Sequence, residues 1–165
     1  NLIMLSILIA VLTVIADQIS KYLCRAFLHD GSIDVIPGVL RFTYVENKGA
    51  AFGMMSGQRW IFILFSIVII AVLAYAIFRF RHYHVLARIS FGLLLGGGIG
   101  NMIDRLFLGY VVDFIDFYPI PAWKWVFNIA DCGVTVGCVL LTVYLLFLDG
   151  RNKADNEPDG DSAHE

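Results

Sequence analysis

Two aspartates bracket an aromatic segment that separates two long apolar runs of this 165-residue chain. Asp113 lies in the stretch VVDFIDF, and Asp131 closes the stretch FNIAD. Neither aspartate has a basic residue within four positions in the sequence. A carboxylate that lies near a membrane boundary without a cationic partner tends to keep its proton. If folding brings the two together, mutual repulsion makes them share one proton.

A carboxyl pair that shares a proton can hydrolyse a peptide bond. One acid protonates the carbonyl oxygen while the other activates a water molecule, which is the chemistry of aspartic proteases. Asp116 competes with Asp113 for this role, because it lies only three residues further along the chain. The residues alone leave that choice open.

Other polar residues interrupt the apolar runs at helical spacings. Asp17 and Lys21 are four residues apart with the acid first, which favours an ion pair on one face of a helix. The adjacent Asp104 and Arg105 are candidates for a second structural pair. Asparagines in membrane helices often form hydrogen bonds between helices. The asparagines to which this applies are Asn101 and Asn128.

The composition predicts the elements that carry these residues. Hydrophobic residues make up 59% of the chain and charged residues only 16%, so a water-soluble surface is excluded. Each long apolar run is close to the ~20 residues that cross a bilayer as a helix. We therefore predict an all-α integral membrane protein. Its four transmembrane helices are expected at about 2–28, 60–80, 85–108 and 127–148.

The connections between the spans differ in character. Residues 29–59 contain alternating β-branched and aromatic side chains, which predict a small sheet. Residues 109–126 are rich in proline and tryptophan, which predicts a connector at the membrane interface. Residues 81–85 form a short link, and residues 149–165 form a polar, acidic tail expected to be mobile. One membrane domain, residues 1–148, therefore precedes the tail.

The first apolar run is interpreted as a retained span. It lacks the basic leader and the small-residue cleavage site of a secretory signal peptide. The three cysteines show no pattern typical of a disulfide framework or zinc site. The net charge of −2 gives no reason to expect a nucleic-acid partner.

Alternating spans place the polar residues on one side of the membrane. The end of the first helix, the end of the third and the start of the fourth share that side, together with both long connections. Basic residues occur on both sides in similar numbers, so the excess of lysine and arginine that marks cytoplasmic loops does not settle the orientation.

The chain resembles the bacterial lipoprotein signal peptidases, also called signal peptidase II. The resemblance extends to about Leu148 and rests on five motifs in order between four spans. These motifs are DQISK at 17–21, ENKGAAFG at 46–53, GNMIDR at 100–105, VVDF at 111–114 and FNIAD at 127–131.

The resemblance implies roles for the motif residues. Asp113 and Asp131 become the catalytic pair, and Asp116 drops out because it is not at a motif position. The residues implied in substrate binding or support of the pair are Asn47, Asn101, Arg105 and Asn128. The residues implied in structural support are Asp17, Lys21 and Asp104. The family needs no metal or other cofactor.

The resemblance also implies a substrate and a location. The substrate is a prolipoprotein carrying a diacylglyceryl group, cut just before the lipidated cysteine. The enzyme is expected to act as a monomer in the bacterial cytoplasmic (inner) membrane, among membrane lipids, with its active site towards the extracytoplasmic face.

Two other classes of function remain as alternatives. A small proton-coupled transporter or channel would also use intramembrane carboxylates. Against it, the polar residues gather at one side and do not continue across the bilayer. A non-catalytic membrane assembly factor explains the spans but gives the two acids no task.

Overall fold

Four apolar helices and a four-stranded antiparallel sheet form the described parts of the computed structural model, which are residues 2–49, 58–79, 84–119 and 125–148. The elements in chain order are α1 (Leu2–Phe27), β1 (Ser32–Ile36), β2 (Leu40–Asn47), α2 (Arg59–Arg79), α3 (Val85–Phe107), β3 (Val111–Phe117), β4 (Val126–Phe127) and α4 (Ile129–Phe147). Each helix is long and apolar enough to cross a membrane. The predicted fold class is confirmed.

Some of the predictions concern residues outside the described ranges. These are the acidic tail, most of the short link at 81–85, positions 50–53 of the ENKGAAFG motif, and Pro121 and Trp123 of the connector.

Helix α4 begins two residues later than the sequence pattern predicts. Asn128 precedes it as an extended N-cap, and its side chain accepts a hydrogen bond from the Asp131 backbone N–H. The Asp131 carboxylate in turn accepts from the Asn128 backbone N–H, which completes a capping box. Phe127 therefore belongs to strand β4.

Helix α3 packs against the other three helices, and glycines allow the close approach. A Cβ atom on Gly97 would lie 2.5 Å from the Ala130 carbonyl oxygen of α4, and one on Gly96 would lie 2.7 Å from the Ala10 oxygen of α1. These glycines therefore let α3 pack directly against the backbones of α1 and α4.

The sheet joins the two long connections. Its strand order is β1-β2-β3-β4, so the predicted sheet of residues 29–59 continues into the 109–126 segment. Pairing of β2 with β3 places Val45 opposite Asp113, and pairing of β3 with β4 leads directly to the start of α4. The segment expected as an interfacial connector thus contributes two strands. The prolines and tryptophans of this segment led to the prediction of a connector, so its two strands were not predicted.

Candidate active site

Asn128 bridges the two aspartates that the sequence singles out. Its side-chain Nδ2 donates to Asp113 Oδ1 at 2.7 Å, and its Oδ1 accepts from the Asp131 backbone N–H at 2.9 Å. Its own backbone N–H donates to Asp131 Oδ2 at 3.2 Å. Asn128 is fully buried, so no water competes for these bonds. One residue therefore holds both carboxylates.

Asp113 lies in a nearly closed environment on β3. Only 2% of its surface is exposed, and its Oδ2 accepts a 2.9 Å hydrogen bond from Asn47 Nδ2 at the end of β2. Burial, reinforced by the negative charge of Asp131, raises the pKa of Asp113 from 3.8 to about 7. The hydrogen bonds from Asn47 and Asn128 oppose this shift without cancelling it. Asp113 can therefore gain or lose a proton near neutral pH.

Asn101 holds the other carboxylate and is itself held by a lysine. Its Nδ2 donates to Asp131 Oδ1 at 2.8 Å, while its Oδ1 accepts from Lys21 Nζ at 3.0 Å. A lysine ammonium can only donate hydrogen bonds, so it selects the amide orientation in which Nδ2 faces Asp131. Lys21 thus orients Asn101, which donates to Asp131, and acts on Asp131 only through that amide.

Lys21 lies between two buried acids. Its ammonium is 2.8 Å from Asp17 Oδ2 and 3.0 Å from Asp104 Oδ2. The predicted Asp17–Lys21 pair is confirmed, whereas the predicted Asp104–Arg105 pair is wrong. Neighbouring residues of a helix point in directions about 100° apart, so Asp104 and Arg105 lie on different faces of α3. Asp104 pairs with Lys21 of α1 instead.

The two acids around Lys21 also fix the backbone beside the candidate pair. Asp17 Oδ1 accepts from the Ala130 N–H at 2.9 Å, and Asp104 Oδ2 accepts from the Val112 N–H at 3.0 Å. These are the residues immediately before the two bridged aspartates. A single ion cluster therefore positions both β3 and the first turn of α4.

Arg105 contacts a different set of groups. Its Nη1 donates to the Asn101 carbonyl oxygen at 3.4 Å, and its guanidinium lies 5.3 Å from the centre of the Phe62 ring. Phe62 belongs to α2, so this cation–π contact joins α2 to α3 beside the aspartates. A role in substrate binding remains a prediction.

Asp116 is separated from the pair and has its own cation. Its Oδ2 accepts from Arg41 Nε at 2.6 Å, and this bond raises the pKa of Arg41. Residues three apart on a strand point to opposite faces. Asp116 therefore does not face the site of Asp113 and is not part of the bridged pair.

Gln18 is a site residue that the sequence reasoning missed. Its Nε2 lies 3.2 Å from Asp17 Oδ2, 3.1 Å from Asp104 Oδ1 and 3.2 Å from the Gly100 oxygen. The available signal was an amide within DQISK in an otherwise apolar helix.

Within the described residues no group of three or more His, Cys, Asp or Glu side chains is arranged to hold a metal ion. The two bridged carboxylates, Asp113 and Asp131, are groups that can take part in acid–base chemistry.

Comparison with known proteins gives a consistent result. Residues 9–147 match the family model described as signal peptidase (SPase) II. The chain is 41% identical to a lipoprotein signal peptidase of Symbiobacterium thermophilum, over 92% of this chain and 100% of that one. It is 40% identical to a lipoprotein signal peptidase of Clostridioides difficile, over 91% of this chain and 100% of that one.

Two solved structures share the fold. Both are described as bacterial membrane enzymes determined by the in meso method, at 2.3 and 1.9 Å resolution. The first has a TM-score of 0.79 and 37% identity, covering 94% of this chain and 93% of the other. The second has a TM-score of 0.76 and 40% identity, covering 86% and 92%. These similarities favour the peptidase interpretation over the transporter alternative.

Proposed function

The chain belongs to the signal peptidase II family of aspartic peptidases, and from this premise we propose that Asp113 and Asp131 are its catalytic carboxylates. The observation that carries the proposal is the buried Asn128 side chain and backbone, which hold both aspartates at once. The protein is a multi-pass bacterial membrane enzyme. Its peptidase domain is proposed to end near residue 148, with the acidic tail outside it.

The two carboxylates have environments that suit different protonation states. Asp113 is buried on a strand, which favours its neutral form. Asp131 lies in the first turn of α4, where its two carboxylate oxygens accept hydrogen bonds from the Asn128 backbone N–H and from Asn101 Nδ2. We therefore assign the shared proton to Asp113 and the charge to Asp131.

Hydrolysis follows from this assignment. Asp131 takes a proton from a water molecule, whose oxygen attacks the scissile carbonyl carbon. Asp113 gives its proton to the carbonyl oxygen, which yields a neutral gem-diol. When the diol collapses, Asp113 recovers a proton from a hydroxyl group and Asp131 passes its proton to the departing amine. Asp113 is then protonated and Asp131 is ionised, as at the start.

The surrounding residues keep this geometry. The side-chain amides of Asn47, Asn101 and Asn128 are proposed to fix three of the four carboxylate oxygens, and the Asn128 backbone N–H fixes the fourth. The ion cluster of Asp17, Lys21 and Asp104 positions the backbone next to both aspartates. Arg105 is proposed to contact the substrate from the α2 side of the site.

The substrate class follows from the relatives, which are named lipoprotein signal peptidases. We infer that this enzyme cuts prolipoproteins before a cysteine that carries a diacylglyceryl group. A substrate that is itself a lipid-anchored membrane segment explains why the candidate pair lies where apolar helices meet a sheet. The enzyme is proposed to act as a monomer in the cytoplasmic membrane, with its site facing outwards.

The catalytic assignment is tested with Asp113→Asn and Asp131→Asn. Asparagine keeps the size of the side chain but cannot exchange the proton, so each variant should lose at least about 100-fold in cleavage rate. The measurement is the rate at which a purified variant cleaves a lipidated precursor in detergent, alongside its thermal unfolding.

Asp116→Asn is the matched control, because it removes a carboxylate from the same strand and should change the rate only a few-fold. A near-normal rate in either Asp113→Asn or Asp131→Asn would refute the pair.

A further inference from the structure

A cavity of about 340 Å³, open to solvent, lies where α1 meets the sheet. Tyr44 and Glu46 of β2 line it, whereas Asn47, the next residue, contacts Asp113 on the opposite face. The cavity is therefore separated from the candidate active site by the sheet itself. Its polar and aromatic lining consists of Tyr22, Arg25, His29, Tyr44, Glu46 and Tyr110.

One wall of this cavity presents hydrogen-bond acceptors. Tyr44 donates its hydroxyl proton to Glu46 Oε1 at 3.2 Å, so the 3.0 Å contact between Tyr44 and Tyr110 uses the Tyr110 proton. Burial and these two bonds raise the pKa of Tyr44, which keeps that hydroxyl protonated. Glu46 Oε2 also lies 3.6 Å from the exposed ammonium of Lys48. A carboxylate has about four acceptor sites, so Glu46 and the remaining lone pairs of Tyr110 can still accept from a ligand.

The other wall presents a cation. Arg25 lies in the last turn of α1, and among the described residues no carboxylate is within ion-pairing distance of its guanidinium. Beside it, the His29 ring stacks on Tyr44 with centroids 5.2 Å apart. A guanidinium offers five donors in a fork that matches phosphate oxygens. The cavity is thus dipolar in the sense that its lining contains a cation, Arg25, and an anion, Glu46, that do not pair with each other.

The cavity lies at the level of lipid headgroups. Helix α1 has 26 residues and is about 39 Å long at ~1.5 Å per residue. A hydrocarbon core is only ~30 Å thick, so the last turns of α1 extend into the interface. Tyr22 and Phe27 are 69% and 76% exposed there, as expected for aromatic side chains at a membrane boundary.

We propose that this cavity binds the headgroup of a phospholipid that carries both a phosphate and a primary ammonium group. The phosphate would lie at Arg25, and the ammonium at Glu46 and Tyr110. An anionic headgroup alone would face the Glu46 carboxylate, and a cation alone would face the arginine. The volume is at the lower end of small-molecule sites, which suits a headgroup whose acyl chains stay in the bilayer. This inference does not depend on the proposed catalytic residues.

The test uses the full chain in detergent and a soluble short-chain lipid, dihexanoyl-phosphatidylethanolamine. Calorimetric titration should show saturable binding that weakens at least about tenfold in Arg25→Gln and in Glu46→Gln, since each substitution removes a charge-assisted hydrogen bond. Arg59→Gln is the matched control, because Arg59 is exposed at the start of α2 on the same side of the membrane. It should bind like the unaltered protein.

Two further ligands test the dipolar assignment. Dihexanoyl-phosphatidylglycerol lacks the ammonium, so it should bind more weakly, and Glu46→Gln should strengthen its binding because the substitution removes a repelling carboxylate. Soluble O-phosphoethanolamine should bind more weakly than the lipid. Unchanged lipid binding in both cavity variants would overturn the site. Equal binding of the two lipids would overturn the ammonium subsite, and equal binding of O-phosphoethanolamine would overturn the lipid assignment.

Discussion

Asn128 shows how much a single buried side chain can decide. In an ordinary capping box, such a residue only satisfies free N–H groups at the start of a helix. Here the same side chain also donates to Asp113 on a neighbouring strand. Helix capping and alignment of the proposed catalytic pair are therefore one interaction. Asn101 likewise makes two contacts with one side chain: it accepts from Lys21, and this contact determines that its Nδ2 faces Asp131.

The raised pKa of Asp113 predicts a pH-dependent stability. Between its unfolded value of 3.8 and about 7, the folded protein binds more protons at this residue than the unfolded chain does. Its contribution to stability is therefore complete below pH 3.8 and is lost as the pH rises to about 7, with a slope of at most about 1.4 kcal/mol per pH unit. Thermal unfolding in detergent, from pH 4 to 8, should show this loss.

Asp113→Asn should remove that slope, because asparagine does not titrate. Asp116→Asn should retain it, since Asp113 is unaltered there. Identical pH profiles for Asp113→Asn and the unaltered protein would exclude Asp113 as the source.

The glycines of α3 control how closely the helices approach one another. In a bilayer, apolar burial gives little driving force between helices, so close packing of small residues contributes much of the association. Gly97 lies against the backbone of α4 at Ala130, which precedes Asp131. The position of the second proposed catalytic aspartate therefore depends on a glycine that never touches it.

Gly97→Ala should destabilise the protein by about 1–3 kcal/mol, because the added methyl group meets a backbone oxygen that cannot move aside. Gly98→Ala is the control on the same helix, where the nearest atom is 3.6 Å away. It should be neutral or slightly stabilising, since alanine favours a helix. Melting temperatures in detergent measure both, and equal effects would contradict the packing argument.

On the scale of the whole molecule, the proposed catalytic pair lies at one end of the helix bundle, where the sheet packs. In each of the four described helices, less than half of the most apolar stretch is buried inside the protein. The acyl chains of a lipidated precursor stay in an apolar environment whether or not the enzyme binds them. They can therefore add little net affinity, and their proposed task is to set the depth of the scissile bond.

A precursor that lacks the diacylglyceryl group should be cut about 100-fold more slowly even when binding is saturated, because misplacing the bond by about an ångström has that effect. The measurement compares maximal cleavage rates of the lipidated precursor and the same chain with an unmodified cysteine. Comparable maximal rates would show that the lipid does not position the substrate.

Much of this architecture could be predicted from the sequence. The four spans follow from hydropathy, which is a local property of each apolar run. The Asp17–Lys21 pair follows from helical spacing, and the gathering of polar residues on one side follows from alternation of the spans. Five motifs identified the family and nominated Asp113 and Asp131.

Only the tertiary structure decided which polar groups meet. Asn47 and Asp113 are 66 residues apart, and they touch because β2 and β3 pair in one register. Lys21 binds Asp104 and displaces the expected pair with Arg105, because the packing of α1 on α3 sets the direction of each side chain. Spacing in a sequence reports neighbours on one element, whereas contacts between elements depend on register and packing that no single segment contains.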